Sequence, residues 1–166
     1  MTARRGRVHL YGDDVDTDVI IPARHCATND VAELARHALE DLDPGFVARV
    51  RPGDVIVAGR NFGCGSSREV APLALLGAGV GAVVAASFAR IFFRNAINVG
   101  LPILECPAAA AALAAGSEVA IDLAAGAVRD LATGRVYAAA PFPPMMREII
   151  AAGGLVEYVR RRLGRA

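Results

Sequence analysis

Between residues 54 and 104 the chain alternates short apolar runs with glycine-rich loops and helical stretches, and this alternation restricts the fold more than any other feature. Residues 54–58 read as a strand, 59–69 as a glycine-rich loop and 71–76 as a helix. Residues 82–86 are almost continuously apolar, as expected of a strand covered on both faces. Ser87 stands where it can cap a helix over 88–98 that Gly100 closes, and residues 101–104 form another short strand. A strand–helix–strand–helix–strand order requires a mainly parallel sheet with crossover helices, an α/β fold.

The flanks have a different rhythm. Residues 8–11 read as a short strand that enters the acidic loop Gly12-Asp13-Asp14-Val15-Asp16-Thr17-Asp18, followed by apolar Val19-Ile20-Ile21 and Pro22. Asp30 with Glu33 has the form of a capping box, and Val31, Leu34, Ala35, Ala38, Leu39 and Leu42 share one helical face up to Pro44-Gly45. Residues 108–115 predict a short helix. Residues 119–123, 127–131 and 135–138 predict strands joined by turns at Ala125-Gly126 and Thr133-Gly134. Residues 145–163 are helical with a break at Gly153-Gly154. With no repeat and no dividing linker, residues 1–166 are expected to form a single domain.

Composition excludes several functions. The net charge of +1 gives no reason to expect nucleic acid or an anionic membrane as partner. All 18 basic side chains are Arg, so there is no Schiff-base lysine and no P-loop lysine, and Arg is the strong carboxylate binder. Cys26, Cys64 and Cys106 are far apart and form no C-x-x-C pair, so no metal site is expected from this chain alone. The odd cysteine number and the polar stretch at residues 1–7 suit a reducing cytoplasm. Residues 70–89 carry no charge and approach membrane-spanning length, but Pro72, Gly77, Gly79 and Gly81 interrupt them, and a helix, a turn and a buried strand account for them better.

Asn61-Phe62-Gly63-Cys64-Gly65-Ser66-Ser67-Arg68-Glu69 carries the most chemistry. It lies after a strand and before a helix, where α/β folds place ligands. Ser66 and Ser67 offer hydroxyls, Arg68 a fork for a carboxylate, and the helix start backbone N–H donors. The plain alternative is that Ser66 and Glu69 form a capping box. With Ser66 as cap, however, Pro72 would fall well inside the helix, where it removes a hydrogen bond and clashes with the preceding turn. A phosphate loop lacks its third glycine and its lysine. Cys64 as nucleophile has no evident histidine base, and a small buried thiol is the alternative.

Three blocks, Gly12 to Arg24, Asn61 to Pro72, and Ser87 to Asn95 with Asn98, Gly100, Leu101 and Pro102, resemble the small subunits of 3-isopropylmalate dehydratase, relatives of the swivelling C-terminal domain of aconitases. The stretch around Gly153-Gly154-Leu155-Val156 is similar too. The resemblance implies a three-layer β/β/α swivelling domain with a mainly parallel core sheet and additional hairpin strands. It implies a hydro-lyase that isomerises 2- and 3-isopropylmalate in leucine biosynthesis and works only beside a large subunit carrying a [4Fe-4S] cluster, as heterodimer or heterotetramer. By that resemblance Ser66 is the base, Arg68 binds a substrate carboxylate, Ser67 assists, and Arg24, Ala27 and Thr28 belong to the substrate-binding set. The substrate is a small di- or tricarboxylate, and the acidic loop shapes and orients the site.

The chain departs from the family pattern after Arg24. The family commonly continues with Tyr-Leu, whereas this chain has His25-Cys26-Ala27-Thr28. Homoaconitase-like members carry arginine at the position of Ala27, which favours an apolar substrate branch here. Homoaconitate, citraconate or methylmalate, dimethylmalate, and a non-catalytic carboxylate-binding assembly role are the alternatives.

Overall fold

The computed structural model describes residues 3–164. Seven strands, β1 (Arg4–Leu10), β2 (Val55–Ala58), β3 (Ala82–Ala85), β4 (Ile103–Glu105), β5 (Glu118–Asp122), β6 (Ala127–Asp130) and β7 (Val136–Ala138), form one sheet in the order β4-β3-β2-β1-β5-β6-β7. Strand β1 is the seam. Its second half pairs in parallel with β2, with Val8 opposite Val55, and its first half pairs antiparallel with β5, with Arg4 opposite Ile121. Strands β2, β3 and β4 continue the parallel side, and β5, β6 and β7 form the antiparallel side.

Burial explains the two sequence rhythms. Every residue of β2 and β3 is buried, so both strands are apolar throughout. In β5 Val119 and Ile121 are buried and Glu118 is exposed, the alternation of a strand with one covered face. The fold is the expected α/β arrangement of a parallel core with added hairpin strands.

Between the strands run α1 (Thr17–Ile20), a 3-10 turn (Ala23–His25), α2 (Val31–Ala35), α3 (Phe46–Arg49), α4 (Val70–Gly77), α5 (Arg90–Val99) and α6 (Pro107–Ala112). After β7 come α7 (Pro144–Ala152) and α8 (Leu155–Arg162), separated at Gly153-Gly154 as the sequence predicts. No helix among the described residues is long and apolar enough to cross a membrane, and residues 70–89 divide between α4, a turn and β3.

Three local expectations need correction. The helix foreseen from Val31 to Leu42 stops at Ala35. Asp30 caps it as expected, accepting from the Glu33 N–H at 3.1 Å, but Leu39 takes a positive φ of 57° and donates its N–H to the Ile20 carbonyl at 2.8 Å. Leu34, Ala38 and Leu39 are fully buried, so the apolar pattern was correct about the core and misleading about the backbone. Ser87 does not cap α5, because Ala89 occupies the cap and no side chain serves it. The helix foreseen over 108–115 ends at Ala112, since Leu113 is already extended.

Candidate active-site loop

Gly63 and Gly65 adopt φ values of +81° and +93°, a region that disfavours side chains, and they turn the chain after β2 back on itself. At Gly63 there is also no room, since a Cβ would lie 2.1 Å from the Phe92 ring. The loop is anchored from below by Phe62, which is fully buried with its ring 5.2 Å from Phe92 and 6.0 Å from Phe88, both edge to face. Ser87 holds the loop's beginning instead of a helix, for its Oγ accepts from the Asn61 N–H at 2.8 Å and its carbonyl accepts from the Phe62 N–H at 3.1 Å.

The acidic loop braces the other side. Asp16 caps α1 by accepting from the Val19 N–H at 3.0 Å. The Thr17 N–H donates to the Cys64 carbonyl at 2.8 Å, and Thr17 Oγ1, almost fully buried, donates to the Ser66 carbonyl at 3.0 Å. Arg68 reaches back to Asp18 at 2.5 Å and donates to the Ile21 carbonyl at 3.4 Å. The individual role of Thr17 escaped the sequence. A Thr beside two acids gives no sign that it will tether a carbonyl 49 residues away.

Ser66 is not a helix cap. Helix α4 begins at Val70 behind Glu69, which has no side-chain cap bond, and Pro72 therefore falls in the first turn, where its missing N–H costs nothing. This leaves residues 66–68 irregular. Ser66 and Ser67 are exposed, and the backbone N–H groups of Ser66, Ser67 and Arg68 meet no acceptor among the described residues. Arg68 is half-buried, with 21% of its side chain exposed against 62% for Asp18, so it is held in place by a partner that lies largely in solvent. Such a pair is weak and readily exchanged for another carboxylate. Three free N–H donors, two hydroxyls and a positioned guanidinium form a receptor for an anionic oxygen-rich ligand.

The other expected residues surround Arg68 less directly. Cys26 Sγ lies 3.9 Å from the Arg68 guanidinium, which brings the segment after the 3-10 turn to the edge of the loop. Ala27 is exposed. Thr28 Oγ1 accepts from the Asp30 N–H at 3.0 Å, and Arg24 turns outward to Asp41, at 2.7 and 3.0 Å, and to Glu40. Burial and the neighbouring Asp16 and Asp14 charges push the Cys64 thiol up, which works against the thiolate that a nucleophile needs. Ser66 and Ser67 stand on an exposed face, and the five best-formed concavities among the described residues are lined by other residues.

An iron–sulfur cluster does not fit this chain's own thiols. Cys106 is buried and donates weakly to the Ala138 carbonyl, Cys26 faces the Ile21 and Pro22 carbonyls, and Cys64 lies in the glycine loop. Among the described residues, the one convergence of three His, Cys, Asp or Glu donors is His25, His37 and Glu40, which contains no cysteine.

A parallel core joined through β1 to an antiparallel extension, with a Gly-Ser-Ser-Arg loop at the strand–helix junction, defines an α/β domain whose candidate site stands at the C-terminal end of a parallel strand. The model of the aconitase C-terminal domain matches residues 35–109. A 3-isopropylmalate dehydratase small subunit from Moorella thermoacetica is 61% identical over 159 residues, covering 96% of each chain. A 2,3-dimethylmalate dehydratase small subunit from Eubacterium barkeri is 56% identical, covering 93% of this chain and 95% of its own. A crystal structure of 3-isopropylmalate dehydratase from Methanocaldococcus jannaschii superposes with a TM-score of 0.91 at 46% identity, over 97% of this chain and 95% of that one. The chain belongs to the 3-isopropylmalate dehydratase small-subunit family.

Proposed function

We propose that this chain supplies the base and the carboxylate-binding half of a hydro-lyase active site that isomerises 2- and 3-isopropylmalate, the other half lying on a large subunit. One observation carries the reading: Ser66 and Ser67 stand exposed beside three unpaired backbone N–H groups and the half-buried Arg68. Arg68 exchanges the exposed Asp18 carboxylate for one of the substrate's and fixes its orientation. Ser66 takes the proton from the carbon next to that carboxylate. A serine hydroxyl is too weak an acid to be ionised in water near neutral pH, so its oxyanion must be stabilised, and the free N–H groups with Arg68 are the donors this chain offers. Thr17 holds the Ser66 carbonyl and with it the register of the loop. The hydroxyl leaves with a proton as water to give a double bond, and water adds back with hydroxyl and proton exchanged between the two carbons, which completes the isomerisation.

The metal half, an iron–sulfur cluster, is assigned to the large subunit because the three thiols here do not converge. Helix α5 presents Arg90 and Arg94, both exposed and without an acidic partner among the described residues, with Ile91 48% exposed beside them. We assign this face, on the helix whose Phe92 underlies Gly63, to contact with the large subunit in a cytoplasmic complex. Ala27 offers no cation to a third carboxylate, which favours a substrate with an apolar branch.

A second reading is 2,3-dimethylmalate as substrate, favoured by the Eubacterium barkeri relative. Reconstitution with the large subunit tests both. Isopropylmalate turnover is expected only from the pair. Ser66→Ala is expected to lower kcat about 10²- to 10⁴-fold with KM little changed, and Arg68→Lys to raise KM about 10- to 100-fold. Full activity of the small subunit alone, or unchanged kcat in Ser66→Ala, would overturn the assignment. Faster turnover of dimethylmalate would favour the second reading.

A further inference from the structure

His25, one of the residues at which the chain departs from the family pattern, takes no part in the reaction proposed above, yet its ring does not point idly into solvent. It stacks on His37 with centroids 3.5 Å apart and planes 5° from parallel. His25 Nε2 lies 2.7 Å from one oxygen of Glu40, and His37 Nδ1 lies 2.7 Å from the other. The three donor atoms fall within 4.8 Å of one another, and the side chains are 23%, 31% and 26% exposed, half-buried and still reachable.

We infer that His25, His37 and Glu40 form a binding site for one divalent transition-metal ion of the zinc type. Two imidazole nitrogens and one carboxylate oxygen are a donor set for zinc, cobalt or nickel, whereas magnesium and calcium prefer oxygen alone. Metal–ligand bonds of about 2.0–2.2 Å in a tetrahedron place the donors roughly 3.4 Å apart. The imidazoles now hold different oxygens of Glu40 and stack in parallel, and a nitrogen lone pair lies in its ring plane, so closing on one ion requires one ring to turn out of the stack while the nitrogens shift toward a shared carboxylate oxygen. The supports allow this, for His25 ends a 3-10 turn and His37 and Glu40 lie in the irregular stretch after α2. Arg24 also touches Glu40, but Asp41 binds both of its terminal nitrogens, so Arg24 keeps a carboxylate when the metal takes Glu40. Solvent fills the fourth position. No nucleophile or free base faces it, and the ion acts as a clip that joins the 3-10 turn to the stretch around residue 40.

The clip would fix the segment from Arg24 to Thr28, which stands beside Arg68 through Cys26. Its existence does not depend on the proposed reaction, and binding is read without turnover. Chelator-treated protein is titrated with Co²⁺ and then with Zn²⁺. The expected result is visible d–d absorption saturating at one equivalent of Co²⁺ and quenched by Zn²⁺. Zinc at a hundredfold excess over its Kd should raise the melting temperature by roughly 5 °C or more. His37→Ala and the volume-conserving Glu40→Gln should each weaken binding at least about tenfold while keeping the wild-type circular dichroism spectrum. Absence of Co²⁺ absorption and of a zinc-dependent melting shift overturns the site. Undiminished binding by the folded Glu40→Gln protein overturns it too, by assigning the metal elsewhere.

Discussion

Gly63 shows how little freedom single positions of the loop have. Its φ of +81° is strained for any side chain, and a Cβ there would lie 2.1 Å from the Phe92 ring that supports Phe62. Gly63→Ala is therefore expected to cost about 3 kcal/mol or more from backbone strain and overpacking together. At roughly 2–4 °C per kcal/mol for a chain of this size, the melting temperature should fall by at least about 6 °C. A melting temperature within a degree of the parent's would mean that Phe92 can move aside. Gly65 has a similar φ of +93°, but a Cβ there would come within 3.4 Å of Thr17 Oγ1 and no nearer to any other segment, so there the backbone angle and not space is the constraint. The glycines, serines and arginine were legible in the sequence as a candidate site. Thr17 was not, because its partner lies on the far side of the β1–β2 junction and only folding brings them together.

At the scale of elements, most boundaries followed from periodicity and punctuation, and the misses share a cause. Ser87 and Ser66 both stand where a helix cap is expected, and both serve the glycine loop: Ser87 receives the Asn61 N–H, and Ser66 remains exposed ahead of a helix that starts four residues later. Local propensity cannot distinguish a cap from a tertiary hydrogen bond, since the same hydroxyl satisfies either. The two roles for Ser87 separate experimentally. Ser87→Ala should leave the helical circular dichroism signal unchanged, cost about 0.5–1.5 kcal/mol of stability and lower kcat through the misplaced loop; a loss of helical signal would restore the cap. The stretch after α2 makes the same point for apolar residues. Leu34, Ala38 and Leu39 were correctly placed in the core, but the Leu39 N–H pairs with the Ile20 carbonyl, and that long-range bond ends the helix the pattern foretold.

For the whole molecule the critical joint is β1, and a buried polar pair guards it. Asp54, just ahead of β2, accepts from the Arg51 N–H at 3.0 Å and the Arg7 N–H at 3.1 Å and lies 2.9 Å from His9 Nε2. Burial works against its charge, but the His9 and backbone hydrogen bonds outweigh that and hold the carboxyl below its ordinary value. A carboxyl depressed on folding contributes stability above its unfolded pKa of about 3.9 and loses it as pH falls through the lower folded value. The melting temperature should therefore hold near neutrality and drop below about pH 4. Asp54→Asn should start lower at pH 7 and show a shallower acid drop; curves that run parallel from pH 7 to pH 3 would exonerate Asp54.

The sequence by itself determined the parallel α/β core, the hairpin extension and the identity of the Gly-Ser-Ser-Arg loop, because each is written in local periodicity, turn chemistry and the order of residues. Only the tertiary structure decided that Thr17 and Ser87 brace the loop, that Asp18 holds Arg68, and that His25 meets His37 and Glu40. Those arrangements rest on contacts between segments distant in the chain, and their partners are chosen by the packing of the sheet and not by any neighbour in sequence.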